Sequence, residues 1–445
     1  MRRRSQMFLV GALLMSVLHG PVLTQSSSPG VIDPPVVVPG IDKPVRVIRG
    51  SFSSSVTLTN DAYYVLRGVI FIERGATLTI QPGTRVVGEF ATLGTLVIAQ
   101  GGRIVADGTA DAPIVFTSDQ PVGQRARGDW GGLIINGEAP LNVPGGLAQG
   151  EGSTGLYGGN NPADDSGILR YVRVEFAGIE LSPDNELNGI AFQGVGSATV
   201  VDFVQVKANK DDGVEFFGGT VDAKHLMLTN IGDDSLDYTQ GWSGRVQFVV
   251  AHQRGDDADN GIEGDNNGNN NDLLPRSSPT IHNVTFIGDP DANEGGESDD
   301  GWLIREGTAG TFRNFIIMGF KEWGLNIDQS ATVTQATTGA LTFGNGIIFN
   351  NGLIAGRANL DPMAAPFIEA DPTVLVGGAN DPGLIDPYNH ANPNYRPASI
   401  LSLAMTHPAA PQPVDGFFEF APYIGALSSD PAQDWTLEWT DYSGS

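Results

Sequence analysis

With 445 residues the chain can bury an extensive core, and 59 glycines among short runs of Val, Ile, Leu and Phe favour strands joined by tight turns over long amphipathic helices. A formal charge of -26 excludes nucleic acid and anionic membrane surfaces as partners, because both need a basic footprint. There is no cysteine, so hydrogen bonding and stacking have to hold the fold.

Arg2, Arg3 and Arg4 precede an apolar stretch from Met7 to Leu18, followed by small and polar residues to Gln25. That layout predicts a secretory signal over 1–25 and an exported protein, periplasmic, surface-bound or extracellular. The apolar stretch is too short for a stable membrane span. Residues 26–50 are rich in Ser, Pro and isolated Val, with Pro34, Pro35 and Pro39 opposing regular pairing, and read as a linker. Order is expected from near Val56. Two strands opened by glycine come next, Gly75 to Ile80 and Gly94 to Ala99, with a turn at Gln81-Pro82-Gly83-Thr84 between them.

The run Ala112-Pro113-Ile114-Val115-Phe116-Thr117-Ser118 and the corner Trp130-Gly131-Gly132 resemble the secreted, pectin-lyase-like parallel β-helix proteins of bacteria. The resemblance continues at Tyr171-Val172-Arg173-Val174 and returns at Asp381-Pro382-Gly383 and Asn394-Tyr395-Arg396-Pro397, which is similar to a closing segment of such helices. It implies an all-β, single-stranded right-handed parallel β-helix solenoid over 51–397. It leaves activity open, since the group includes adhesins, lyases and hydrolases.

A repeated phrase points to the same architecture. Asn188-Gly189-Ile190, Asp212-Gly213-Val214, Asp234-Ser235-Leu236 and Asn260-Gly261-Ile262 are spaced 24, 22 and 26 residues apart, one solenoid turn each. Asp300-Gly301-Trp302 and Trp323-Gly324-Leu325 continue the series. Val204-Gln205-Val206, Leu226-Met227-Leu228 and Phe248-Val249-Val250 run in step, 22 residues apart. Roughly ten to twelve turns are expected. Polar or acidic stretches at 136–167, 253–278 and 288–298 read as loops inserted between turns. Residues 398–445, with Phe417, Phe418, Phe420, Tyr423, Trp435 and Trp439, read as an aromatic-rich cap over the open end or, alternatively, a docking surface.

Equivalent residues of successive turns stack about 4.8 Å apart, so repeated residues become columns. Asp211 and Asp212, Asp233 and Asp234, Asp259 with Asn260, and Asp299 and Asp300 are expected along one corner. Glu215, Asp237 and Glu263 form a neighbouring column. Carboxylates at that spacing repel by roughly 1 kcal/mol in water and about 3–4 at an effective dielectric of 20. Protonation, asparagine amides between them or a bound cation relieves the repulsion, and Ca²⁺ suits oxygen-only ligands. Glu263, Asp265 and Asn267, with Gly268, partly match a calcium loop, although Leu274 stands where a closing glutamate belongs. The competing reading is that Asp-Gly and Asn-Gly only build the corner turn.

An enzymatic reading uses the same residues. Gly232-Asp233-Asp234 resembles the Gly-Asp-Asp motif of polygalacturonases, with Asp211 and Asp212 one turn earlier, but the other motifs of that family are missing. For a lyase, Arg305 or Arg313 would serve as base. Trp242, Trp302 and Trp323 are candidate sugar platforms, with burial at corners as the alternative. His225, His252 and His282 are off the rung spacing, against a stacked zinc site, and Arg254-Gly255-Asp256 and the sequon Asn283-Val284-Thr285 read as coincidences of strand and turn. The expected function is a non-catalytic exported protein that binds Ca²⁺ on its acidic ladder and recognises a polysaccharide or cell-envelope component. A polysaccharide hydrolase or lyase and a purely structural surface element are the alternatives.

Overall fold

The computed structural model describes residues 28–182, 185–291 and 298–443. The expected export signal, the centre of the 288–298 insertion and the last two residues lie outside these. The chain winds into a parallel β-helix whose wall consists of a 16-stranded and a 10-stranded sheet. Strands of the second sheet, such as Ile190–Gln193, Val214–Phe217 and Leu236–Thr239, pair in parallel and in register. Their alternate residues Ile190, Phe192, Val214, Phe216, Leu236 and Tyr238 point inward and are buried, the period of two expected of strands.

The long sheet provides the other two sides because each of its strands bends in the middle. In Gly167–Glu175, Val200–Lys207, Asp222–Thr229, Arg245–His252, Thr280–Ile287, Gly310–Met318 and Leu341–Phe349 one non-glycine residue has a positive φ. These residues, Tyr171, Phe203, His225, Phe248, Asn283, Asn314 and Asn345, occupy one register position in successive coils. Asparagine tolerates the left-handed region, whereas a bulky side chain there is costly. The bulky ones offset that cost by stacking: ring centroids are 4.4 Å apart for Tyr171 and Phe203, 4.1 Å for Phe203 and His225, and 4.9 Å for His225 and Phe248.

Three expectations change. The helix begins before Val56, because Val45–Arg49 already pairs in parallel with Tyr63–Leu66; ahead of it, Val31–Ile32 pairs antiparallel with Val45–Arg49 and Val36 bridges Val45, so the prolines limit pairing there without preventing it. Within the predicted 253–278 loop, Ile262–Gly264 is a rung of the second sheet. The C-terminal segment is a strap along the outer face of the long sheet rather than a cap over the end. That face carries Met227, Val250, Ile287, Ile316 and Met318 outward, and Ile424, Ala426, Leu427 and Trp439 cover them. Trp439 and Tyr423 are thus interior, and Phe420 alone of the strap aromatics is largely exposed, at 86 %. At the last coils, Val333 and Ala336 of the helix Ser330–Thr338 and Ala364, Phe367 and Ile368 pack on the core instead.

The asparagine column fastens the strap. Asn283 Nδ2 donates to the Tyr423 carbonyl at 2.8 Å, and Asn314 exchanges two bonds with the Ala410 backbone, 3.0 and 2.7 Å. Buried in this way, Asn283 is no glycosylation acceptor. Asn314→Ala removes both bonds and leaves a Cβ residue in the left-handed region, so a loss of about 2–3 kcal/mol is expected in denaturant unfolding. Asn314→Gly should lose less, since only the bonds are missing; equal losses would exclude the backbone contribution.

Candidate functional site

On the outer face of the second sheet, one register column reads Phe71, Val97, Ile134, Ala191, Glu215, Asp237, Glu263, Leu303. Its apolar half is roofed by Leu141 and Tyr157 of the 136–167 insertion and by Ile179, Leu181 and Leu187 of the hairpin Ile179–Ser182 and Asn185–Leu187. Where the roof ends the column turns acidic and a cleft of about 210 Å³ opens.

The repeated turn phrase stacks beside this column. The N–H groups of Gly189, Gly213, Ser235, Gly261 and Gly301 donate to the carbonyls of Asp212, Asp234, Asn260, Asp300 and Trp323, each one coil further on. Glycine is required at the close approaches: a Cβ at Gly261 or Gly301 would lie 2.4 or 2.3 Å from the next coil's carbonyl oxygen. The aspartates contribute to the stacking themselves. Asp212 Oδ1 accepts from the Asp234 N–H at 3.1 Å, and Asp234 Oδ1 from the Asn260 N–H at 2.6 Å. These side chains therefore fill the corner-turn role.

Four overlapping carboxylate triads line the cleft, each with oxygens within 4.8 Å of one another: Asp211, Asp212 and Asp233; Asp212, Glu215 and Asp237; Asp233, Asp234 and Asp259; Asp234, Asp237 and Glu263. Glu151 and Glu186 complete the wall. The sequence reading missed both, because they belong to the insertion and the hairpin rather than to the repeat; the available signal was an acidic residue two positions before the first repeat phrase. Asn188 donates to Glu215 Oε2 at 2.5 Å. Asp237 Oδ1 is buried and has no hydrogen-bond partner among the described residues.

Burial, and then mutual repulsion, favours the protonated form of Glu151, Asp211, Asp212, Glu215, Asp233, Asp234, Asp237 and Glu263. Asp211 is pushed up to about 8 by desolvation and next by Asp233, and Glu263 to about 8 by desolvation and next by Asp265. Asp212, Glu215, Asp234 and Asp237 lie well above the ordinary carboxylate range for the same reasons. Glu151 rises to about 7 through burial and the charge of Glu186.

Other candidates lie elsewhere. Asp265 accepts from Arg305 Nε at 2.9 Å, and Asn267 donates to Asn142 Oδ1 at 3.0 Å, so the 263–268 stretch does not close as a calcium loop. Asp300 spends both oxygens, one on the Trp323 N–H and one on Asn326, each at 2.8 Å, and among the described residues neither it nor Asp299 joins a triad. Arg305 pairs with Glu263 and Asp265, whose charges favour its protonated form. Arg313 lies on the long sheet and donates to Thr342. Trp242 and Trp302 are fully buried, Trp242 stacked on Phe216 at 4.2 Å, because their positions face the core; they offer no platform. Trp323 remains partly exposed, with the Arg357 guanidinium 5.1 Å from its ring centroid. Arg254 pairs with Asp256 within its own tripeptide.

A family model described as a pectate-lyase like beta helix domain matches residues 50–363. Among solved structures, the pectate lyase Pel9A is similar at 14 % identity and a TM-score of 0.45, covering 81 % of this chain and 89 % of that one. The periplasmic alginate epimerase AlgG is similar at 12 % identity and a TM-score of 0.26, covering 75 % and 77 %. A search of the curated proteins finds no match.

Proposed function

The chain belongs to the pectate-lyase-like β-helix family, and from that premise we propose that it is an exported, polysaccharide-associated protein whose acidic cleft binds Ca²⁺ and, through the cation, a glycan. The observation that carries this reading is the set of four interlocked carboxylate triads with the orphaned oxygen of Asp237 among them. Oxygen-only donors, several per ion and arranged irregularly, suit Ca²⁺, which takes six to eight such ligands in flexible geometry. A cation there replaces the protons that the carboxylates otherwise hold, and sugar hydroxyls or a sugar carboxylate complete its shell. Export rests on the layout of residues 1–25.

Binding without chain cleavage is favoured because the cations nearest the cleft are engaged. Arg305 is fixed by Glu263 and Asp265, and Lys210 by Asp257 at 3.0 Å. One observation favours hydrolysis as a second reading: Asp211, raised to about 8 beside Asp233, is a proton donor at neutral pH. Release of reducing ends from plant or algal polyuronates, lost in Asp211→Asn, would establish it.

The test of the binding reading is calorimetric titration with Ca²⁺ of the wild type and of Asp212→Asn/Asp234→Asn/Asp237→Asn. Asparagine keeps the Oδ1 acceptors of the turns while removing three charges. The triple variant should lose Ca²⁺ affinity by a factor of about 100 or more, which is about 2.7 kcal/mol or more for the lost ligands together, yet without Ca²⁺ at pH 8 it should melt above the wild type. Asp300→Asn should bind as the wild type does. Equal affinity in the triple variant rejects the cleft as the site.

A further inference from the structure

The outer face of the long sheet holds a second group of titratable side chains, built around two histidines. His252, the last residue of Arg245–His252, is 1 % exposed. Its Nδ1 lies 3.1 Å from Tyr395 Oη, and its Nε2 has no partner among the described residues. The His390 ring lies flat on it, with centroids 4.0 Å apart and planes at 11°. His390 Nδ1 is likewise buried and unpartnered, and its Nε2 is 3.8 Å from Asp289 Oδ2.

His390 belongs to the connection of an antiparallel hairpin, Leu384–Asp386 and Asn394–Pro397, that closes against the solenoid. Leu384, Tyr388 and Tyr395 of this unit pack in the same apolar cluster as Ile287 and Met318. The histidine stack is the polar part of that seam.

We propose that the stacked His252 and His390 rings form an acid-sensitive fastener, which holds this hairpin on the sheet while both are neutral and releases it when they are protonated. A proton on His252 places a charge in a dry seam where its one hydrogen-bond partner among the described residues is a tyrosine hydroxyl. Two protons put like charges one ring thickness apart. The surroundings do not neutralise them: Asp289 and Asp256 face His390, but Arg254 and Arg127 face it too, and Tyr442 stands beyond Tyr395. Burial holds both rings below the ordinary histidine value of 6.5, and the His390 charge lowers His252 further. A group whose folded pKa is depressed stabilises the fold above its unfolded value, and that contribution is lost as pH falls below it. Release is therefore an acid event, and it withdraws Leu384, Tyr388 and Tyr395 from the cluster that holds Ile287 and Met318.

Amide hydrogen exchange on the full chain, with Ca²⁺ present and rates corrected for the intrinsic pH effect, tests this. Peptides covering 384–397 should lose protection by roughly tenfold or more between about pH 7 and about pH 5, while the second sheet stays protected. His390→Phe, which keeps a ring in the stack and takes no proton, should retain protection at the lower pH. Unchanged protection in the wild type overturns the proposal, and so does the same loss in His390→Phe. Should that variant fail to fold, histidine C2 exchange on the wild type decides: titration of both rings below 6.5 supports the fastener, and ordinary titration of either overturns it.

Discussion

Without divalent cations the protein should lose stability as pH rises from about 6.5 to about 8.5, and millimolar Ca²⁺ should flatten that slope. The carboxyls of the cleft hold protons in the folded chain that they release when unfolded: Asp211 and Glu263 are raised to about 8 and Glu151 to about 7, from ordinary values of 3.8 and 4.5. A group whose folded pKa is raised stabilises the fold below its unfolded value, and that stability is lost as pH climbs through the folded one. One proton held differentially across two pH units is about 2.7 kcal/mol, and the cleft holds more than one. His252 and His390, depressed below 6.5 in the folded chain, bind protons mainly in the unfolded chain, so they oppose this slope only at the lower end of the range, below about pH 7.5. Thermal melts at fixed ionic strength with EDTA and with Ca²⁺ measure the effect. Titration in buffers of different ionisation enthalpy should also detect protons leaving as Ca²⁺ enters. A flat profile in EDTA, or the same slope in Ca²⁺, would refute the assignment of those carboxyls.

The parallel solenoid was legible because its signal repeats. The phrase from Asn188 to Trp323 states the same corner in each coil, and Gly261 and Gly301 are forced there because an added Cβ would lie 2.4 or 2.3 Å from the next coil's carbonyl oxygen. The columns of Asp212 with Asp234 and of Glu215 with Asp237 and Glu263 follow from that register. What escaped was whatever the repeat does not encode. Glu151 and Glu186 come from segments with no periodicity and reach the cleft only because their apolar neighbours roof Phe71, Val97 and Ile134. The strap escaped for a related reason: aromatic residues near a chain end indicate that something apolar is covered, but not which face. The tryptophans show the limit of local context, since Trp242 and Trp302 stand next to acidic turns in sequence while pointing into the core.

Arg305→Gln should destabilise the protein strongly at alkaline pH and little in mild acid. The guanidinium bridges Glu263 and Asp265 and is the positive charge that ends the acidic column. Removing one partner of a buried ion pair costs about 3–5 kcal/mol, and about 2–4 is expected here because the Arg305 side chain is 31 % exposed. That cost exists only while the orphaned carboxyls are charged. Near pH 5.5 protonation of Glu263 and Asp265, both raised by burial, relieves it, whereas near pH 8.5 nothing does until a cation arrives. Glu263 also belongs to the triad with Asp234 and Asp237, so the guanidinium and a bound cation compete for it. Arg305→Gln should therefore bind Ca²⁺ more tightly than the wild type and regain more stability from it. A base for β-elimination would behave differently, since its loss would abolish cleavage and leave the unfolding midpoint in place at every pH. Melts of the variant near pH 5.5 and pH 8.5, each with EDTA and with Ca²⁺, separate the two roles; a pH-independent loss of stability would mean that Arg305 is packed into the fold rather than balancing the charge of the cleft.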